Sequence, residues 1–149
     1  MRITTKPFGE IEVDERQEIF FPSGILGFED LKHYVLLDAT QPPFYWLQSV
    51  DVVDVSFVLI DPRVFKPTYR LEVNPEELDE IGVTAEQDII DFSIVTIPDC
   101  PSEMTANLQG PIIVNRRTRV ARQAISRNPD LSVRYRLVQT HSRVGEDAC

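Results

Sequence analysis

The chain has 149 residues, 42% of them apolar, and carries 15 Lys+Arg against 24 Asp+Glu, a formal charge of −9. A single domain of this length hides about 68–70% of its unfolded surface on folding, so it needs no metal or disulfide staple. The longest apolar runs, such as Phe44–Leu47 and Phe57–Ile60, are four residues, far short of the ~20 that a bilayer span requires. The opening Met1-Arg2-Ile3-Thr4-Thr5-Lys6 lacks the apolar core of a secretory signal, so the cytoplasm is the expected compartment. Cys100 and Cys149 have no CxxC or His companion, and both are expected as free thiols.

Strand patterns then dominate in chain order. Gln17–Phe21 is β-rich, and Ser23-Gly24-Ile25-Leu26-Gly27-Phe28 reads as a turn, because its glycines lack the lysine or third glycine of a phosphate loop. His33–Leu37 is the next strand. A strand through Phe44-Tyr45-Trp46-Leu47 points Phe44 and Trp46 one way and Tyr45 and Leu47 the other. Val53, Val55, Phe57 and Leu59 share one face against Asp54 and Ser56, and Tyr69–Val73 is again β-rich. One short helix is signalled: Asn74 as cap, Pro75 at the first position, Glu77 at the capping-box position and Gly82 as the stop. Ile90, Phe92 and Ile94 then alternate with Asp91 and Ser93. Eleven prolines punctuate the chain at strand ends, among them Pro42-Pro43 and Gly110-Pro111. The expected fold is mainly β: a small single-domain antiparallel β-barrel-like fold with one or two short helices over residues 1–140, with 141–149 a flexible tail.

Charge is unevenly placed. Residues 1–100 hold 7 basic and 20 acidic side chains, a net of −13, whereas 101–149 hold 8 basic and 4 acidic, a net of +4. Seven arginines lie between Arg116 and Arg136. They form either an anion-binding surface or internal pairs with the acidic remainder, and the net negative charge favours the second. A negative field attracts basic partners, so a basic protein fits this chain better than RNA.

Catalytic constellations are not found. With His141 in the expected tail, a histidine-based site rests on His33, whose ordinary role is a partly exposed strand histidine. GxSxG, HExxH and P-loop spacings are missing, and Glu76, Glu77, Asp79 and Glu80 read as a solvated helix face rather than a metal site. The aromatic strand has two open readings, core packing or a groove for an apolar helix.

Four stretches carry a resemblance. Phe20-Phe21-Pro22-Ser23-Gly24-Ile25-Leu26-Gly27-Phe28-Glu29, Pro43–Ser49, Phe57–Pro62 with Phe65 and Tyr69, and Asn107-Leu108-Gln109-Gly110-Pro111-Ile112-Ile113-Val114-Asn115 together resemble, in order and spacing, FliW, the bacterial flagellar assembly factor family. The resemblance runs from about Ile3 to Tyr135. It implies a non-enzymatic protein that binds flagellin and, when free of it, binds and antagonises the translational repressor CsrA, coupling flagellin synthesis to export. No cofactor, metal, membrane, small-molecule substrate or direct nucleic-acid contact is expected. Phe44, Trp46, Phe65 and Tyr69 are expected to line or support a groove for a flagellin helix. Asn107, Leu108, Gly110 and Pro111 are expected at a CsrA surface, where Gly110-Pro111 interrupts pairing and leaves backbone groups accessible. Alternatives are a flagellin chaperone without a CsrA role, a small RNA-binding domain using Arg116–Arg136, and a hydrolase using His33.

Overall fold

In the computed structural model, residues 1–137 are described, and the expected tail, 141–149, lies outside the described residues. A hairpin comes first: β1 (Arg2–Thr5) pairs antiparallel with β2 (Gly9–Glu12), Ile3 opposite Ile11. Then come β3 (Glu18–Phe20), β4 (His33–Asp38), β5 (Phe44–Ser49), β6 (Ser56–Ile60), the helix α1 (Pro75–Glu80), β7 (Ile89–Thr96), β8 (Thr105–Asn115), β9 (Ala121–Gln123) and β10 (Tyr135–Arg136). β3 to β10 form one antiparallel sheet in the order β10-β8-β7-β6-β5-β4-β3, with β9 also on β8. The sheet curls back on itself: the Phe20 N–H donates to the Arg119 carbonyl at 3.0 Å, beside a bridge from Phe20 to Val120. The result is the expected mainly β, nearly closed barrel with few short helices.

Period-two alternation decides which side chains fill it. Tyr34, Leu47, Leu59, Phe92, Ile112 and Val114 point into the barrel and pack with Ile19, Phe21 and Ile25. The alternate residues face outward, but they too are covered. The β1–β2 hairpin lies over Val35, Leu37 and Trp46 through Ile3 and Val13, α1 and its C-terminal turn bring Leu78, Ile81 and Val83 onto Ile113, and Tyr69 and Leu137 pack on Ile60, Val95 and Leu108. Buried Gln48 locks the hairpin down. Its carbonyl oxygen accepts the Lys6 N–H at 2.8 Å while its amide donates to the Ser49 and Val53 carbonyls at 2.9 and 3.0 Å.

Several local expectations are corrected. β6 begins at Ser56, because Val52–Val55 form a turn and Val53 is exposed. Tyr69–Val73 is irregular, with one isolated bridge from Val73 to Ser126, outside the named strands. α1 starts and stops where expected, with Pro75 at its first position and Gly82 at φ +74°. Its capping box is not made, because the Glu77 carboxylate is drawn instead to Arg122 at 3.1 Å and to the Ile125 N–H at 3.3 Å. Cys100 is disulfide-bonded rather than a free thiol.

Candidate partner-docking site

Of the depressions on the outside of the barrel, two contrast in character, one apolar and one charged. The apolar hollow, about 440 Å³, lies where the Gly24–Glu29 loop meets β8 and β9. Its loop wall is dictated by glycine. Gly24 has φ +68°, and a Cβ there would stand 2.6 Å from the Glu29 Cα, so only glycine lets the chain close this tightly. The Glu29 carboxylate then accepts the Gly27 N–H at 3.0 Å, which lowers its pKa.

The hollow's other walls are held by side-chain amides. The Asn107 carbonyl oxygen accepts the N–H groups of both Gln109 and Gly110 at 2.9 Å. Gln123 bridges across the hollow, accepting the Leu26 N–H at 3.1 Å and donating to the Gly110 carbonyl at 3.2 Å. Gln109 donates to the Asn128 and Leu131 carbonyls at 2.6 Å and shapes the segment leading to Val133. Onto this fixed frame the chain mounts three large apolar side chains that stand largely exposed: Leu26 is 81% exposed, Ile125 69% and Val133 56%. An exposed apolar cluster on a prepared frame is the signature of a docking surface rather than of a core.

The charged cleft is larger, about 830 Å³, and runs between Tyr69–Val73, α1 and β7. Arg63 reaches across to Asp91 at 3.1 Å and back to Asp61 at 3.0 Å, with its guanidinium over the Tyr69 ring. Burial raises the Asp91 pKa despite that ion pair. Burial, reinforced by Asp91, pushes the Tyr69 hydroxyl to about 12. That hydroxyl has no hydrogen-bond partner among the described residues.

The residues expected to bind partners are divided by this geometry. Phe44, Phe65, Tyr69 and Leu108 share one cluster on the outer face, whereas Trp46 belongs to another, under the hairpin. Tyr69, Leu108 and Pro111 are buried. Asn107 and Gly110 line the hollow. The backbone around Gly110-Pro111 is not accessible as expected: the carbonyls of Gln109 and Pro111 accept from Ser126 and Ala124 at 2.8 Å. Ala124 and Ser126, just past β9, together with the Asn107 and Gln123 side chains, supply the partners around the proline interruption.

The sequence reading missed Leu26, Ile125 and Val133. Leu26 alone carried a signal, an apolar residue at the tip of a turn between Gly24 and Gly27. His33 is exposed at the start of β4 and stacks on Phe20, ring centroids 5.2 Å apart. Arg122 pairs with Glu77 and Glu80, and Arg117 lies 4.0 Å from Asp88, in line with internal pairing of the basic segment. Among the described residues no group of three or more His, Cys, Asp or Glu could hold a metal ion, and no helix is long and apolar enough to cross a membrane.

Comparison with known proteins places this architecture. The family model described as FliW protein matches residues 2–137. The flagellar assembly factor FliW of Leptospira biflexa is 43% identical over 147 residues, spanning 97% of this chain and 96% of that one. The Treponema denticola protein of the same name is 42% identical over 125 residues, 84% and 85% of the two chains. A crystal structure of the flagellar assembly factor FliW superposes with a TM-score of 0.88 at 37% identity, covering 95% of this chain and all of that one. By sequence over its described length and by fold, this chain belongs to the FliW family of flagellar assembly factors.

Proposed function

We propose that this chain is a non-enzymatic switch protein of the cytoplasm that binds flagellin and, when free of it, binds and antagonises CsrA. The observation that carries the reading is the apolar hollow in a FliW family member: Leu26, Ile125 and Val133 stand exposed on a frame fixed by Asn107, Gln109 and Gln123. Such a surface suits the apolar stripe of an amphipathic helix, the recognition mode expected for a flagellin terminus. Because the walls are held by hydrogen bonds before any partner arrives, little ordering entropy is lost on docking.

Asn107 and Gly110 contribute rim contacts, while Leu108 and Pro111 hold the rim from below. Phe44, Trp46, Phe65 and Tyr69 act as support for the outer sheet face in this reading. The charge of −9 favours a basic, phosphate-binding protein as the second partner and disfavours direct RNA contact. Calorimetry against flagellin, against CsrA, and against CsrA with flagellin present tests the switch. One-to-one flagellin binding that abolishes the CsrA signal is the expected result. Binding to flagellin alone would reduce the function to that of a chaperone, and silence with both would overturn the reading.

A further inference from the structure

The charged cleft contains an unfinished sheet edge. β6 accompanies β7 only from Ser93 to Val95, with Ile60 opposite Ser93. At Asp61 the chain leaves the sheet in a 3-10 turn over Pro62–Val64. Among the described residues, Ile89–Phe92 therefore pair with β8 on one side and have no strand on the other. The Arg116 N–H donates to the Asp88 carbonyl, so the alternation of antiparallel bonding turns residues 88, 90 and 92 toward β8 and 89 and 91 toward the cleft. The Ile89 N–H is taken by the Glu86 carbonyl. The Ile89 carbonyl and both backbone groups of Asp91 remain directed at the open side.

Charge selects what fits there. From Leu71 to Asn115 the chain carries ten carboxylates and no lysine or arginine, and this stretch supplies both α1 and β7. Glu72, Asp79, Glu86 and Asp91 line the cleft. Arg63 is committed to Asp61 and Asp91, and Arg70 and Arg127 are the other lining cations. Tyr69, only 4% exposed, adds a hydroxyl donor without a partner among the described residues.

We propose that this cleft takes an extended, lysine- or arginine-bearing segment of a partner protein as an added strand on β7. Its backbone pairs with Ile89 and Asp91, a carbonyl accepts from Tyr69, and its cationic side chains meet Glu72, Asp79 and Glu86. The site is separate from the apolar hollow and stands independently of what docks there.

The probe is a nonapeptide alternating lysine and threonine, blocked at both ends, titrated into the ¹⁵N-labelled protein at low salt. Saturable shifts at Leu71–Val73 and Ile89–Phe92, with slowed exchange of the Asp91 amide, are expected. Combined Glu72→Gln, Asp79→Asn and Glu86→Gln should weaken binding about tenfold without altering the remaining spectrum. Shifts centred on Leu26 and Ile125, equal binding of a glutamate–threonine peptide, or no saturable binding would overturn the proposal. So would a self-association of the protein that already buries β7.

Discussion

The hollow and the cleft lie on the same barrel and are built in opposite ways. The hollow is apolar and much of its backbone is engaged, with Asn107, Gln109 and Gln123 tying loop to strand. The cleft is polar and its sheet edge is left open, with Asp91 and Tyr69 held buried beside it. A surface for apolar side chains must satisfy its own polar groups before a partner arrives, since an apolar partner supplies none. A surface for a strand does the reverse and keeps donors and acceptors free for the partner's backbone.

The largest effect is expected at Leu108, which packs in the same cluster as Tyr69 while its neighbour Asn107 frames the hollow. Leu108→Ala should cost about 2–5 kcal/mol in chemical denaturation and should loosen both depressions together. Retained stability would show that the two are not built on a common layer.

Gly24 separates them. Gly24→Ala forces a Cβ against the Glu29 backbone at a positive φ and should cost about 1–3 kcal/mol, deforming the hollow and leaving the cleft intact by amide shifts. Gly9→Ala is the control: it shares the positive φ but has nothing within 4 Å, so strain alone should cost about 1–2 kcal/mol. An equal loss at both sites would mean that the close approach at Gly24 contributes nothing. A surface change should then spare stability altogether: Leu26→Asp is expected within about 0.5 kcal/mol of the parent, while calorimetric affinity for flagellin falls at least about tenfold.

The cleft should reveal itself by titration. Burial places the folded-state pKa of Asp91 above its ordinary value, so the folded protein holds this proton more tightly than the unfolded chain. That contribution to stability is full below the unfolded pKa and is lost as pH rises through the folded one. Asp91→Asn should flatten the acid limb of the stability–pH curve just above the ordinary carboxylate range; an unchanged limb would refute burial as the dominant influence.

The smallest effect is expected at Tyr69, whose hydroxyl is raised from 10.0 to about 12. Its contribution is present below pH 10 and lost as pH rises toward 12, a loss it shares with Tyr34, raised likewise to about 12 by burial. Tyr69→Phe removes an unpartnered buried hydroxyl, so it should change stability by less than about 1 kcal/mol at neutral pH and lessen the alkaline decline. A large neutral-pH loss would mean that this hydroxyl has a partner.

Sequence alone determined several of the strands and their faces. Alternation along His33–Leu37, Phe44–Leu47 and Ile90–Ile94 needs only neighbouring residues to be legible, because a strand turns successive side chains to opposite faces. The motifs around Gly24, Trp46, Asp61 and Asn107 were enough to point to the family. Tertiary structure decided what covers each face and what remains outside. Phe44 and Trp46 share a strand face yet lie beneath different covers, because the β1–β2 hairpin reaches only one of them. Leu26 and Gln123, 97 residues apart, meet only when the barrel closes, and Glu77 leaves its expected capping role for Arg122 and Ile125. Periodicity is a property of adjacent residues; a docking surface is a property of which distant segments the closed sheet brings together and which polar groups those segments leave unmet.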